Sequence, residues 1–176
     1  MSTLTVLGTT GGVGATTLTA LAIAAAQGQA APAVEAVDPM PLARRLASDE
    51  QGRGRGPGLV HDAGRATPER CAAALERGTI AIVSAATPLG DAVLAPLLER
   101  IGAEELPGRV IVVRTALFGR PSRIRTDIAV DALLVPRDPL LTRPGRIADG
   151  GAGYRAQTRT ALDRWASLTL QALRVR

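Results

Sequence analysis

The stretch that decides the fold runs from Thr5 to Thr19 and reads TVLGTTGGVGATTLT. It begins as an apolar strand, passes through a glycine-rich turn and ends in the first turn of an alanine- and leucine-rich helix. In open α/β folds this order brings backbone N–H groups and the positive end of a helix onto a phosphate. The sequence therefore predicts a phosphate-binding loop formed by Gly11, Gly12, Val13, Gly14, Ala15, Thr16 and Thr17.

Length and composition predict one α/β domain spanning residues 1–176. A chain of 176 residues can bury a sizeable core, and 46% hydrophobic with 21% charged residues is unlike a disordered chain. The single cysteine, Cys71, and the single histidine, His61, exclude an internal disulfide, a cysteine-rich metal site and a His-pair metal site. With no signal-like N-terminal segment and no apolar run of about 18 residues, we expect a cytoplasmic protein.

Strand-like and helix-like segments alternate along the whole chain. Apolar runs predict six strands, at residues 3–7, 32–38, 59–64, 79–85, 109–114 and 132–136. Helical patterns cover residues 16–27, 42–48, 87–101, 120–128 and 152–173, and a further helix is opened by Thr67 and Pro68. This alternation predicts a doubly wound, mostly parallel sheet with helices on both faces. Its ligand should lie at the carboxyl ends of the strands, and Asp38 and Asp62 fall on that edge.

Arginine supplies all 21 basic charges of the chain, because the sequence contains no lysine. The formal net charge of +5 comes entirely from the residues after 136, since the arginines and acids before that point balance. A basic segment of this kind can contact DNA or an anionic membrane surface. A solvated, arginine-rich surface is the alternative interpretation.

The loop resembles the deviant Walker A loop of the ParA/MinD family of P-loop ATPases. That family pattern is Lys-Gly-Gly-x-Gly-Lys-Thr/Ser-Thr, which this chain matches at its glycines and at both threonines. Thr10 stands at the first lysine position and Ala15 at the second. Alanine at the second position resembles the pilus-assembly branch, the CpaE/TadZ-like proteins. The resemblance implies ATP or ADP bound by N–H groups from Gly12 to Thr17, with the Thr16 hydroxyl on Mg²⁺.

The resemblance extends over nearly the whole chain and implies roles for residues outside the loop. The segment ending at Asp62 is similar to the family's Walker B strand, so Asp62 would hold the Mg²⁺ shell through water. Aligned on Val-Asp, Asp38 would orient the attacking water; aligned on Asp-Pro, that position is Ala36 and the acid is absent. The family's adenine contacts would fall at Arg114, Pro136 and Arg137.

With no lysine in the chain, nothing is expected to replace the one missing at Ala15. We therefore expect weak hydrolysis or none, because positioned charges of that kind contribute factors on the order of 10²–10³ in rate. Two alternatives stay open. One is a pseudo-ATPase scaffold that no longer binds nucleotide. The other is a small dinucleotide-binding protein, because Gly12 and Gly14 with Asp38 further along fit a loose dinucleotide fingerprint.

The resemblance also implies partners. A homodimer would form across the nucleotide loop, and a protein partner would belong to a secretion, pilus or partition machine. The final helical pattern places Leu162, Trp165 and Leu170 on one face with arginines around it. That face could lie on a membrane, which would add a peripheral location, or pack against the sheet.

Overall fold

The structure is a computed structural model that describes residues 2–27, 32–46, 58–116, 132–147 and 153–174. Its strands are Ser2–Gly8 (β1), Ala33–Ala36 (β2), Gly58–Arg65 (β3), Gly78–Ala85 (β4), Val110–Thr115 (β5) and Ala132–Val135 (β6). Its helices are Ala15–Gln27 (α1), Pro39–Ala43 (α2), Pro68–Arg77 (α3), Pro88–Arg100 (α4), Pro139–Thr142 (α5) and Ala156–Arg174 (α6). The helix predicted at residues 120–128 lies outside the described residues.

The six strands form one sheet in the order β2-β3-β1-β4-β5-β6, and every neighbouring pair is parallel. The predicted doubly wound α/β fold is therefore confirmed. β1 lies in the middle of the sheet between β3 and β4. All the strands point the same way, so the loops that follow β1 and β3 meet at one edge of the sheet.

Alternate residues of the central strands fill two separate cores. Leu4 and Val6 belong to the core under α1 and α6, whereas Leu7 and Ile80 belong to the core under α3 and α4. Strands buried on both faces have near-continuous apolar sequences. This burial explains the apolar runs Ile80–Val83 in β4 and Val110–Val113 in β5.

Several helix boundaries follow from caps that the sequence shows. The hydroxyls of Thr67 and Thr87 accept hydrogen bonds from Arg70 N and Gly90 N, and each threonine precedes a proline at the start of its helix. Asp38 caps α2 in the same way, so this helix begins at Pro39 and not near residue 42. The predicted strand at 32–38 is correspondingly shorter and ends at Ala36.

The final helix packs against the sheet, as one of the two interpretations of its sequence predicted. Its buried face consists of Thr158, Ala161, Trp165, Thr169 and Ala172. The Trp165 indole N–H donates to the carbonyl oxygen of Leu18 in α1 at 3.0 Å. Among the helices of the described ranges, none has the length and apolar character that crossing a membrane requires.

Candidate functional site

The loop between β1 and α1 turns sharply at two glycines. Gly12 and Gly14 have φ angles of 78° and 91°, in the left-handed region where a side chain is strained. The loop is also tied to its neighbouring strands, because Thr9 N donates to Val83 O and Ala66 N donates to Gly8 O. Glycines at these two positions let the chain reverse direction and present N–H groups outward.

Hydrogen bonds of buried hydroxyl groups connect the loop to neighbouring strands and to α4. The Thr9 hydroxyl donates to Ser84 Oγ at 3.1 Å, and the Ser84 hydroxyl donates in turn to Gly90 O at 3.1 Å. On the other side, the Thr115 hydroxyl donates to Val13 O at 2.7 Å. These bonds link the loop to β4, α4 and β5, so its backbone geometry is set by three other elements.

A cavity of about 460 Å³ lies over the loop and brings most of the predicted site together. The predicted loop residues, Gly11 through Thr17, line it, and so does Asp62. Asp62 reaches the loop because β3 pairs directly with β1, which places Asp62 opposite Val6. The Asp62 side chain is 5% exposed, and its Oδ1 accepts a hydrogen bond from Gly64 N at 3.2 Å.

Thr16 and Asp62 form an oxygen donor set that fits Mg²⁺. Both residues line the same cavity, and one offers a hydroxyl and the other a carboxylate. Mg²⁺ in nucleotide sites is held by one or two protein oxygens together with waters and phosphate oxygens. The described residues contain no cluster of three His, Cys, Asp or Glu side chains, so a metal held by protein groups alone is not formed within them.

The structure places Arg114, expected from the resemblance to contact the nucleotide, away from the cavity over the loop. Its guanidinium is fully buried and donates to both carboxylate oxygens of Asp91 in α4, at 2.6 and 2.7 Å. Arg114 therefore joins β5 to α4 inside the protein and does not line the cavity. Nothing in the local sequence of β5 indicates this partner, which lies 23 residues earlier.

Asp38 is an exposed helix cap and is not among the residues that line the cavity. Its Oδ1 accepts a hydrogen bond from Met40 N at 3.2 Å. β2 lies at the edge of the sheet beyond β3, so Asp38 follows a strand that does not neighbour β1. The position given by the other alignment, Ala36, pairs with Asp62 in the sheet but carries no carboxylate. Of the two alignments, one therefore gives an exposed carboxylate that does not line the cavity and the other gives none.

Pro136 and Arg137 also lie outside the cavity lining, whereas Leu141 and Thr142, a few residues further along, belong to it. Asp138, which is 1% exposed, caps α5 and turns the chain into this helix. The segment after β6 therefore reaches the cavity through α5.

Asp138 ties α5 to the start of α6. Its Oδ1 accepts from Leu140 N at 3.0 Å and its Oδ2 from Arg155 N at 3.0 Å. Burial is the largest single influence and raises the pKa of this carboxyl, but the two backbone N–H donors, the Thr158 hydroxyl and the positive charge of Arg155 together hold the pKa below its usual value.

We expect Asp138→Ala to lower the free energy of unfolding by about 2 kcal/mol or more, because two N–H groups lose a charged acceptor. A folded-state pKa below the unfolded value stabilises the protein above the unfolded pKa, and this contribution is lost as the pH falls through the folded pKa. The difference in the free energy of unfolding between the wild type and Asp138→Ala should therefore shrink in acid. Urea unfolding at pH 7 and in acid measures this difference. Asp163→Ala is the control, because Asp163 is exposed. A gap that is equal at both pH values would contradict the role of the carboxylate charge.

Sequence reasoning missed two cationic residues in the cavity wall. Arg45, in the turn after α2, and Arg65, at the end of β3, both line the cavity. The expectation that nothing replaces the missing lysine was based on the absence of lysine and overlooked arginine. Neither residue lies in a recognisable motif, and only the packing of α2 and β3 around the loop brings them to it.

His61 and Cys71 lie outside the cavity lining. Burial lowers the pKa of His61, and Glu35 partly opposes this. Burial raises the pKa of the Cys71 thiol to about 11, so this buried residue stays protonated at neutral pH and contributes to the core under α3. Both residues are therefore structural.

No family model matches this chain, and no curated protein matches its sequence. Among solved structures, a ParA family ATPase from Chlorobium tepidum TLS matches with a TM-score of 0.64 and 13% identity, over 94% of this chain and 98% of that one. A nucleotide-binding protein from Archaeoglobus fulgidus in complex with ADP matches with a TM-score of 0.48 and 12% identity, over 95% and 87% of the two chains. The first likeness shows that this chain has the fold of a ParA family ATPase.

Proposed function

We propose that this chain, with its ParA-like fold, binds ATP or ADP together with Mg²⁺ in the cavity over the glycine-rich loop. The observation that carries the proposal is that the glycine-rich loop, including Thr16, and Asp62 line one cavity of about 460 Å³. In this role the loop would hold phosphate oxygens, and Thr16 and Asp62 would hold the metal, Asp62 through water. A metal bound there would offset the charge between adjacent phosphates.

We also propose that hydrolysis is weak or absent. Among the described residues that line the cavity, Asp62 carries the one carboxylate, and it belongs to the proposed metal site. Asp38 is exposed and caps α2, so it is not placed to orient a water molecule at the loop. Ala15 occupies the position of the second family lysine and brings no charge.

The strand order opposes the dinucleotide-binding alternative. In the common dinucleotide-binding order, 3-2-1-4-5-6, the second strand neighbours the first and places its acid beside the glycine-rich turn. Here β3 separates β1 from β2, so Asp38 follows a strand two positions away from the loop. The remaining alternative is a scaffold with the same fold that has lost nucleotide binding.

The biological role we propose is positioning or assembly in the manner of the CpaE/TadZ-like branch, with a homodimer formed across the loop. Thr10, Gly11 and Gly12 are exposed at the cavity rim, where a second copy would approach. The seven described arginines from Arg137 onward are all exposed and could contact a protein partner, DNA or an anionic membrane. The apolar face of α6 is buried, so such contacts would use the arginines and not that face.

Thr16→Ala is expected to weaken Mg²⁺-dependent ATP binding by at least about 10-fold, because it removes a hydroxyl from the proposed metal and phosphate contacts. Calorimetric titration with ATP, ADP and NAD, each with and without Mg²⁺, measures the effect. Light scattering on the same samples tests for a dimer.

Thr160→Ala is the matched control, because this threonine is exposed on α6 and its hydroxyl bonds only to Ala156 O in its own helix. It should bind ATP like the wild type. Absence of binding of any nucleotide at millimolar concentration would leave the scaffold alternative, and Mg²⁺-independent binding of NAD alone would favour the dinucleotide-binding alternative.

A further inference from the structure

Two arginines, Arg45 and Arg65, line the cavity over the loop. The ion pairs Arg77–Glu35 and Arg114–Asp91, found among the described residues, involve neither of them. Of the described residues that line the cavity, Asp62 alone carries a carboxylate, against two guanidinium groups. The described part of the wall therefore carries a net positive charge.

Three hydrogen bonds fix the position of Arg45. Its guanidinium Nη1 donates to the carbonyl oxygen of Arg143 at 2.5 Å, across 98 residues of sequence. Its backbone N donates to Leu42 O, and its own carbonyl accepts from Ile147 N at 3.1 Å. The backbone bonds fix Arg45 between α2 and the segment after α5, and the bond to Arg143 anchors its half-buried side chain.

The chemistry of the guanidinium suits a phosphate at this position. A guanidinium has five N–H donors in a fixed plane, and the bond to Arg143 uses one of them in the described part of the chain. A side chain that is already anchored loses little conformational freedom when a ligand binds. Planar guanidinium groups often hold phosphate oxygens through two parallel hydrogen bonds.

We propose that Arg45 supplies the phosphate-binding cation that the loop lacks at Ala15, with Arg65 as a second cation at the β3 end. Arg45 then favours nucleoside di- and triphosphates over monophosphates, because each added phosphate brings more negative charge to the guanidinium. This inference depends on the nucleotide-binding function proposed above. In this inference an arginine from the turn after α2 binds the phosphates together with the N–H groups of the loop.

The test compares Arg45→Gln with Arg44→Gln by calorimetric titration of AMP, ADP and ATP with Mg²⁺. Arg44 is the adjacent residue, is exposed and does not line the cavity. We expect Arg45→Gln to weaken ATP binding by about 10- to 100-fold, while AMP binding changes by less than about 3-fold. Arg44→Gln should bind all three like the wild type. Raising the salt concentration should weaken ATP binding to the wild type more than to Arg45→Gln.

Three results would overturn the inference or the function beneath it. Equal ATP affinity in both variants would overturn the role of Arg45 and leave nucleotide binding intact. Equal losses for AMP, ADP and ATP would show that Arg45 shapes the base or ribose site and does not hold the outer phosphates. A wild type that binds no nucleotide would overturn the proposed function itself.

Arg45→Gln also removes the hydrogen bond to Arg143, so a loss of stability has to be told apart from a loss of binding. Arg45→Lys is the second variant that serves this purpose. It keeps the positive charge without the planar fork, so ATP affinity should lie between those of the wild type and Arg45→Gln. The thermal unfolding midpoint of each apo variant, measured in parallel, separates a stability loss from a binding loss. An affinity for Arg45→Lys equal to that of Arg45→Gln, with unchanged midpoints, would overturn the charge argument.

Discussion

Asp91→Leu is expected to lower the free energy of unfolding by about 3–5 kcal/mol, because it removes the carboxylate that both short hydrogen bonds of Arg114 reach. The Arg114 guanidinium is 0% exposed and Asp91 is 3% exposed, so water cannot take over the lost contact without a rearrangement of β5 and α4. Removing the carboxylate that is bonded to a buried guanidinium is among the few single changes with an effect this large. Urea unfolding, followed by the fluorescence of Trp165, the only tryptophan of the chain, measures it.

The double variant Asp91→Leu/Arg114→Met is the informative control. Replacing both members of a buried ion pair with apolar side chains of similar volume is often neutral or stabilising. We therefore expect the double variant to recover most of the stability that Asp91→Leu loses. If the double variant is as unstable as the single one, the loss comes from packing around α4 and not from the buried charge.

Gly90→Ala is expected to destabilise the protein by about 3 kcal/mol or more, because a side chain at residue 90 has no room. A Cβ atom there would lie 2.0 Å from the carbonyl oxygen of Ala85, a backbone atom that cannot rotate away. The first turn of α4 would have to move, and with it the carbonyl of Gly90 that accepts the Ser84 hydroxyl. Thermal unfolding measures the loss, and amide hydrogen exchange of the loop reports whether the Thr9–Ser84 link loosens.

Gly11→Ala is the matched control for stability. A Cβ atom at residue 11 would have no atom within 4 Å, and its φ angle is not in the left-handed region. We expect its unfolding midpoint to match that of the wild type, within about 0.5 kcal/mol. A loss as large as that of Gly90→Ala would mean that the loop tolerates no side chain for reasons other than contact distance.

Most of the fold could be predicted because its determinants are local. Central parallel strands are buried on both faces and appear as apolar runs, and threonine before proline marks the starts of α3 and α4. The order of the strands was not predicted, since no local signal shows that β3 and not β2 neighbours β1. That order places Asp62 beside the loop and moves Asp38 away from it.

The same distinction between local and distant determinants applies to the residues of the candidate site. The loop and Asp62 were predicted because glycine spacing and a strand-ending acid are visible within a few residues. The buried pairing of Arg114 and the place of Arg45 in the cavity wall were not predicted, because they depend on Asp91 and Arg143, which lie 23 and 98 residues away. The sequence around a charged residue does not show whether its side chain faces a partner or a cavity.

The hydrogen bond between Trp165 and Leu18 joins residues 147 positions apart, and it has a consequence for folding during synthesis. All six strands and the loop leave the ribosome before α6 does, so the part of the α1-side core that α6 covers stays exposed until then. Contacts between distant residues slow folding, and exposed apolar surface invites aggregation meanwhile. We infer that α1, and with it the loop, reaches its final packing only when α6 docks, which is the last step in completing this core.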